Sequence, residues 1–514
     1  MDVARRTLLR GSGAALAAPA LLRRAVAAQA GAPLPIPPVV DADGTGGTLL
    51  EAIGGEHEFL AGSRTRVVGF NQPFLGPVLR MRRGHSARLQ VRNRLREPIT
   101  VHWHGLHVPG EVDGGPHSVI EPGARWTPTL EIDQPGGTYW YHSHMHRRTA
   151  EHVYWGLAGM LIVDDPAQSG LPSRYSVDDL PLVIQDRAFD ARGDLAYSKR
   201  GPSLMTGFRG DRILVNGAIE PVATVPPGWV RLRLLNGSNA RIYTLFFDDE
   251  REFHQIGTDG GLLPRPVSRR RLVLAPGERA EWLVDFSDRG PTRLLSLPDR
   301  NLPMGGMMGG MMGGMSGAEP PSVNSDGAFG VMRVRVAGQA SATITALPAS
   351  SGRGAAARLR RAGPPSPIRI DIHGAMMRGM GRGMMGGGAG GGMTINGRSM
   401  DMGHINERVP LGQTELWEVR LGHDGASVPC SRDLFPSDSN ERRAGRLRRN
   451  RSRRHRARRR PGRTAGQVPT PRRRAPPVHV SLPHSRARGR GHDGTVHGGM
   501  SAARARTSAG CPPR

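Results

Sequence analysis

Residues 101–117 read VHWHGLHVPGEVDGGPH, and residues 139–146 read YWYHSHMH. Each stretch sets two histidines two positions apart in a strand-like pattern: His102 with His104, and His142 with His144. Residues i and i+2 of a strand leave from the same face, so each pair aims two imidazoles in one direction. One such pair is commonly an ordinary core or surface feature. Two pairs on strands of the same domain point instead to a shared metal cluster. Imidazole serves copper, zinc and iron alike, so spacing alone leaves the metal open. His107 and His146 stand close by, but their placement gives no argument for ligation.

Outward from these motifs, residues 34–165 run as short strand patterns with turn residues between them: TRVVGFN, ARLQVRNRL, ITVHWHGL, RWTPTLEI, GTYWYHSH and GLAGMLIVDD. Alternation punctuated by Gly and Pro predicts a β-sandwich. A second set of similar size spans residues 180–338, and RIDIHG, MTINGRSMD and TELWEVRL begin a third at residues 366–425. The fold class expected is all-β, as tandem sandwiches with the third incomplete. Composition agrees: 514 residues hold 71 Gly and 43 Pro with aromatics at 5%, which suits strands and turns better than a helical bundle. After residue 425 the strand pattern is expected to stop, leaving residues 426–514 as a disordered basic tail. That tail carries 23 arginines against 4 acidic residues, so most of the net charge of +27 belongs to it and not to a basic domain.

The tail could be read as a nucleic-acid arm, since a run of like charge binds phosphate without specificity. No recognition fold or aromatic platform accompanies it, so no specific nucleic-acid partner is expected. Residues 1–30 carry Arg5 and Arg6, a modest apolar run and then small residues. They read as a twin-arginine export signal, which places the mature protein in the periplasm or outside the cell. No later segment is apolar for long enough to span a bilayer. The two cysteines, Cys430 and Cys511, both fall in the tail and imply no disulfide framework.

Two Met/Gly segments, at residues 304–315 and 376–393, hold with Met400 and Met402 14 of the 21 methionines. They suit a flexible linker. Thioethers also favour Cu(I), which makes Met376, Met377, Met380, Met384 and Met385 candidates for contact with substrate copper.

The motifs at 101–117 and 130–146, together with GLAGMLIVDD, ILVNGAIEP, RLRLLNGSNAR, DGGLLPRPV and TINGRSMDM, resemble the multicopper oxidases, and among them the periplasmic cuprous oxidases of copper efflux. The resemblance runs over nearly all of residues 34–421. It implies three cupredoxin-like domains and four coppers. One type 1 copper would take electrons from Cu(I) or a small phenolic reductant, and a type 2/type 3 trinuclear cluster would reduce O2 to water in the service of copper tolerance. By that resemblance His102 matches a type 2 ligand, and His104, His142 and His144 match type 3 ligands. A monomer is expected. A laccase or bilirubin-oxidase-like enzyme, and a non-catalytic copper-binding or division-type scaffold on the same fold, remain open.

The family also needs H-P-x-H-x-H and H-C-H-x-x-x-H-x-x-x-x-M in its third domain, and neither occurs here. Codon arithmetic offers a reason. Residues 478–484, VHVSLPH, written GTT CAT GTA TCA CTG CCA CAT, read FMYHCH from one base later. Residues 426–432, ASVPCSR, written GCA TCC GTT CCA TGT TCA CGG, read HPFHVH at the same offset. Both missing motifs emerge in the right order. The frame is therefore expected to slip near residues 421–425, which leaves this chain without its type 1 ligands and half of the cluster, and inactive as an oxidase.

Overall fold

Strand β5 (Ser86–Asn93) alternates exposed and covered residues, turning Ala87, Leu89 and Val91 inward. That period of two is the signature of a sheet with one wet face. The sheet it belongs to runs β3 (Ser63–Phe70), β2 (Gly44–Leu60), β5 and β7 (Arg125–Trp126), with β8 (Thr129–Glu131) also paired to β5. Packed on it is a five-stranded sheet ordered β1 (Val39–Asp41), β4 (Val78–Arg82), β10 (Ala158–Asp164), β9 (Gly137–His142) and β6 (His102–His104). Leu50, Phe70, Leu89, Trp103, Tyr139, Tyr141 and Leu161 fill the space between them as one apolar cluster.

A second sandwich follows. Its large sheet runs β14 (Ala218–Ile219), β13 (Arg212–Val215), β11 (Asp179–Phe189), β16 (Trp229–Asn236), β21 (Arg279–Asp285), β18 (Phe253–Thr258) and β19 (Gly261–Arg269), with β12 (Leu195–Ala196) beside β11. The facing sheet runs β15 (Val222–Val225), β23 (Phe329–Val336), β22 (Thr292–Leu297), β17 (Tyr243–Phe247) and β20 (Leu272–Leu274). Leu232, Leu234, Phe247, Trp282 and Val331 are among its core residues. A third apolar cluster joins Phe59, Phe74, Trp140 and Tyr154 to Val183, Leu214 and Leu235, and so glues one sandwich to the other. Two short helices, α1 (Gly110–Asp113) and α2 (Thr149–Trp155), flank the histidine strands.

The computed structural model describes residues 31–42, 44–166, 168, 170–199, 203, 207–287, 290–299, 327–337, 342–351, 368–373, 394–399, 401–409, 415–421 and 478–482. Within these, a four-stranded sheet ordered β25 (Thr394–Ile395), β24 (Ile368–His373), β26 (Glu415–Leu421) and β27 (Val478–Leu482) corrects one expectation. The tail was expected to hold no strand, yet β27 pairs antiparallel with β26, Glu415 opposite Leu482. VHVSL alternates apolar and polar residues, and five such residues suffice for an edge strand. No helix among the described residues is long and apolar enough to cross a membrane.

Candidate metal centre

Across the β6–β9 pair, His102 stands opposite His142, Trp103 opposite Tyr141 and His104 opposite Trp140. Directly opposed residues of an antiparallel pair bring their Cβ atoms to about 5 Å. Trp103, Tyr139 and Tyr141 point into the sandwich core. By alternation the intervening positions, His102, His104, Trp140 and His142, share the other face.

One ligand atom from each of His102, His104 and His142 lies within 4.8 Å of the others. Nδ1 of His104 and Nε2 of His142 are 3.2 Å apart. That is the separation of two nitrogen donors on one metal with bonds of about 2 Å. With no metal between them, the same distance is a hydrogen bond from one neutral ring to the other.

His142 and His144 were expected to ride one strand, and this needs correction. β9 ends at His142, and His144 follows in a turn held from outside the sheet. Its backbone N–H donates to Thr100 Oγ1 at 2.7 Å, and Thr149 Oγ1 donates to the Met145 carbonyl at 3.0 Å. The His144 ring still lies 5.4 Å from that of His102 and 5.7 Å from that of His142, on the flank of the triad.

Three neighbours escaped the reading of the sequence. Asp113, at the end of α1, is buried, with its carboxylate 3.3 Å and its carbonyl 3.1 Å from His102 Nδ1. Gly114 makes this approach feasible. It sits at φ 75°, and a Cβ there would lie 1.7 Å from the Val101 carbonyl oxygen. Trp140 stacks on His142 with ring centroids 4.0 Å apart and planes at 26°, and lies 5.0 Å from His104. Ser143 Oγ is 2.7 Å from Nδ1 of His152 on α2, both buried. Burial holds His152 below its ordinary value, so at neutral pH the ring is uncharged and shares a neutral hydrogen bond with the hydroxyl. The signal for Asp113 was present in the sequence, as an acid before two glycines just after the first histidine pair. The other two carried none.

The second sandwich closes the site from outside. Thr138, on the same strand as His142, donates to Glu281 Oε1 at 2.7 Å and accepts from Arg233 at 3.2 Å. Glu281 also binds Arg231 at 2.5 Å, and Arg233 binds Asp179 at 2.6 Å. Burial alone would raise the Glu281 carboxyl, but the guanidinium groups of Arg231 and Arg233 overcome it and hold the group at about 2.

Met376, Met377, Met380, Met384 and Met385 lie outside the described residues, as do Cys430, Cys511 and residues 1–30. Among the described residues, the group of His, Cys, Asp or Glu placed to hold a metal ion is His102, His104 and His142.

Residues 54–168 match the family model of the multicopper oxidases. The cell division protein FtsP of Escherichia coli (strain K12) is 44% identical over 291 residues, which are 56% of this chain and 61% of FtsP. The chain thus spans less than two thirds of that relative. In three dimensions it resembles a laccase-like multi-copper oxidase, CueO, from the lignin-degrading bacterium Ochrobactrum sp., at 35% identity and TM-score 0.62, covering 76% of this chain and 83% of that one. The McoA multicopper oxidase of the hyperthermophile Aquifex aeolicus is 30% identical with TM-score 0.60, covering 76% and 82%.

Proposed function

The chain belongs to the multicopper oxidase family, and on that premise we propose that His102, His104, His142 and His144 are copper ligands of an oxidase module. The convergence of three imidazole donors to within 4.8 Å carries the proposal. The donor set fits: imidazoles suit copper, and the outer nitrogens of His102 and His142 already have protein partners. Asp113 holds His102 at Nδ1, which leaves Nε2 for the metal. The Ser143 carbonyl lies 2.9 Å from His142 Nδ1, with the same consequence. His104 then serves through Nδ1, the atom that faces His142. Trp140 fixes the plane of the His142 ring, and the second sandwich keeps bulk water from it. Copper bound here would supply the one-electron chemistry by which Cu(I) or a small phenolic reductant passes electrons to O2.

In this reading residues 34–165, 180–338 and 366–425 are cupredoxin-like domains, the last of them incomplete, and residues 1–30 direct export through the twin-arginine route. Residues 426–514 are translated out of frame, so the chain lacks a type 1 centre and does not turn over. The test has two arms. The purified chain should bind copper, stay colourless and consume no O2 with Cu(I) or a phenol. A gene restored by one base near codons 421–425 should yield a blue, oxygen-consuming protein. A blue, active sample of the present chain would sink the frame proposal, and so would a gene that cannot spell the missing ligands at the shifted offset.

The similarity to FtsP favours a second reading, a scaffold that meets division partners without catalysis. Oxygen consumption by the protein from the restored gene separates the two: an oxidase module turns over once the missing ligands return, and a scaffold does not.

A further inference from the structure

One side chain of the second sandwich reaches both histidine strands. Arg279, 2% exposed, pairs through Nη1 with Asp259 at 2.6 Å, and Asp259 is 1% exposed. The same nitrogen donates to the Gly277 carbonyl at 2.8 Å, and Nη2 donates to the Asp259 carbonyl at 3.2 Å. Nε reaches the Thr138 carbonyl on β9 at 3.5 Å. Nη2 also lies 2.8 Å from where a Cβ of Gly105 would stand, so the guanidinium occupies the space left by the residue after His104. The turn that Arg279 ties down touches the site as well. A methyl group on Gly277 would sit 3.6 Å from Trp140 Cζ2 and 3.8 Å from His104 Cε1.

We infer that Arg279 is a positioning residue for the His104–His142 pair, clamping the turn at residues 275–278 onto β6 and β9 and so fixing the separation of the two imidazoles. An arginine buried only to hold two sandwiches together needs one ion-pair partner. This one distributes its donors over Asp259, the Gly277 turn and the histidine strand. The planar fork is what allows this, and a lysine could keep the charge pair with Asp259 but not the remaining contacts.

The inference rests on the copper reading, and the experiment separates the two. The full chain is titrated with Cu(II) against a chromophoric chelator, and its thermal midpoint is recorded. The variant His102→Ala/His104→Ala/His142→Ala defines copper held elsewhere on the chain. Arg279→Lys is compared with Arg241→Lys, an equally buried arginine of the same sandwich that binds Asp186 and the Gly210 carbonyl rather than a histidine strand. Arg279→Lys is expected to weaken the histidine-dependent copper about ten- to a hundredfold, as loss of an outer partner of a metal site does, and to shift its Cu(II) EPR spectrum. Arg241→Lys should lower the midpoint while leaving affinity and spectrum as in the parent. Gly277→Asn, which tolerates the left-handed backbone and pushes a side chain at Trp140 and His104, should weaken copper without removing any charge. Parent-like copper binding in both Arg279→Lys and Gly277→Asn would overturn the inference, and so would equal weakening by Arg241→Lys. If the triple histidine variant binds as much copper as the parent, the copper reading fails first, and the inference falls with it.

Discussion

Strands β9 and β21 meet at the junction of the two sandwiches, and both are covered almost throughout. They meet that burial in opposite ways. β21 carries Arg279 and Glu281, whose charges are answered by Asp259, Arg231 and Arg233. β9 carries Trp140 and His142, and the rings around His142 are those of Trp140, His102, His104 and His144. A buried polar group costs free energy unless it is matched. The Glu281 carboxylate of β21 finds its opposite charges wholly within the second sandwich, which marks it as architecture. The imidazoles of β9 and β6 find one another, and like groups gathered in one place suit a ligand that binds them together. Polar burial with a built-in counterpart and polar burial among like neighbours are thus two different statements about a strand.

The largest effect should come from breaking the architectural side. Glu281→Gln leaves the buried Arg231 guanidinium without its carboxylate and Arg233 with Asp179 alone, and is expected to cost about 3–5 kcal/mol in urea unfolding. The same carboxyl gives an acid signature. Its folded value of about 2 is depressed from an ordinary 4.5. Its contribution is therefore fully present above pH 4.5 and is lost as the pH falls from there through 2. The stability gap between parent and Glu281→Gln should close over that window. A gap that stays constant with pH would show that Glu281 acts through packing and not through charge.

The next effect belongs to the other side of the comparison. His142→Ala should leave apo stability within about 1–2 kcal/mol of the parent, because no paired charge is stranded. It should also abolish the rise in thermal midpoint on adding copper, which follows the ligand's affinity for the folded state. An apo loss as large as that of Glu281→Gln would place His142 with the architecture.

This contrast explains how far the sequence could be read. The first histidine pair and the sandwich strands were legible because both depend on a local period of two. The cross-strand register that sets His102 against His142 was not, since it is fixed by the long loop and by α1 between them. In sequence His144 is equivalent to His142; it is Thr100, just ahead of the first motif, that holds its backbone outside the strand. Thr138, Arg233 and Glu281 are far apart along the chain, and their network exists only once two sandwiches meet. On β9 and β21 the burial of both faces erases the alternation by which a strand is usually recognised.

Asp113→Asn tests whether a partner next to the imidazoles behaves like the ligands or like the architecture. The amide can still approach His102 Nδ1 but brings no charge. Copper affinity should fall about ten- to a hundredfold by chelator competition. Apo stability should move by less than about 1 kcal/mol, because the neighbouring carbonyl of Asp113 also faces that nitrogen.

The smallest effect should come from the latch behind the strand end. Ser143 lies between His142 and His144, and its hydroxyl is tied to His152 on α2. Ser143→Ala removes one buried neutral hydrogen bond and should cost about 1 kcal/mol in urea unfolding. Burial already holds His152 below its ordinary 6.5. A histidine depressed on folding supports stability above pH 6.5 and forfeits that support as the pH falls through its lowered folded value, because the unfolded chain takes up the proton first. In the parent, protonated His152 keeps the Ser143 hydroxyl as acceptor of a charge-assisted bond. The alanine variant offers no such acceptor, so its folded state takes up the proton later and its stability should fall further below pH 6.5 than the parent's. Copper affinity should change less than in Asp113→Asn, because the Ser143 carbonyl that faces His142 Nδ1 stays in place and only the hydroxyl is removed. A larger copper effect in Ser143→Ala than in Asp113→Asn would mean that the turn after β9, and not the register across β6 and β9, sets the spacing of the imidazoles.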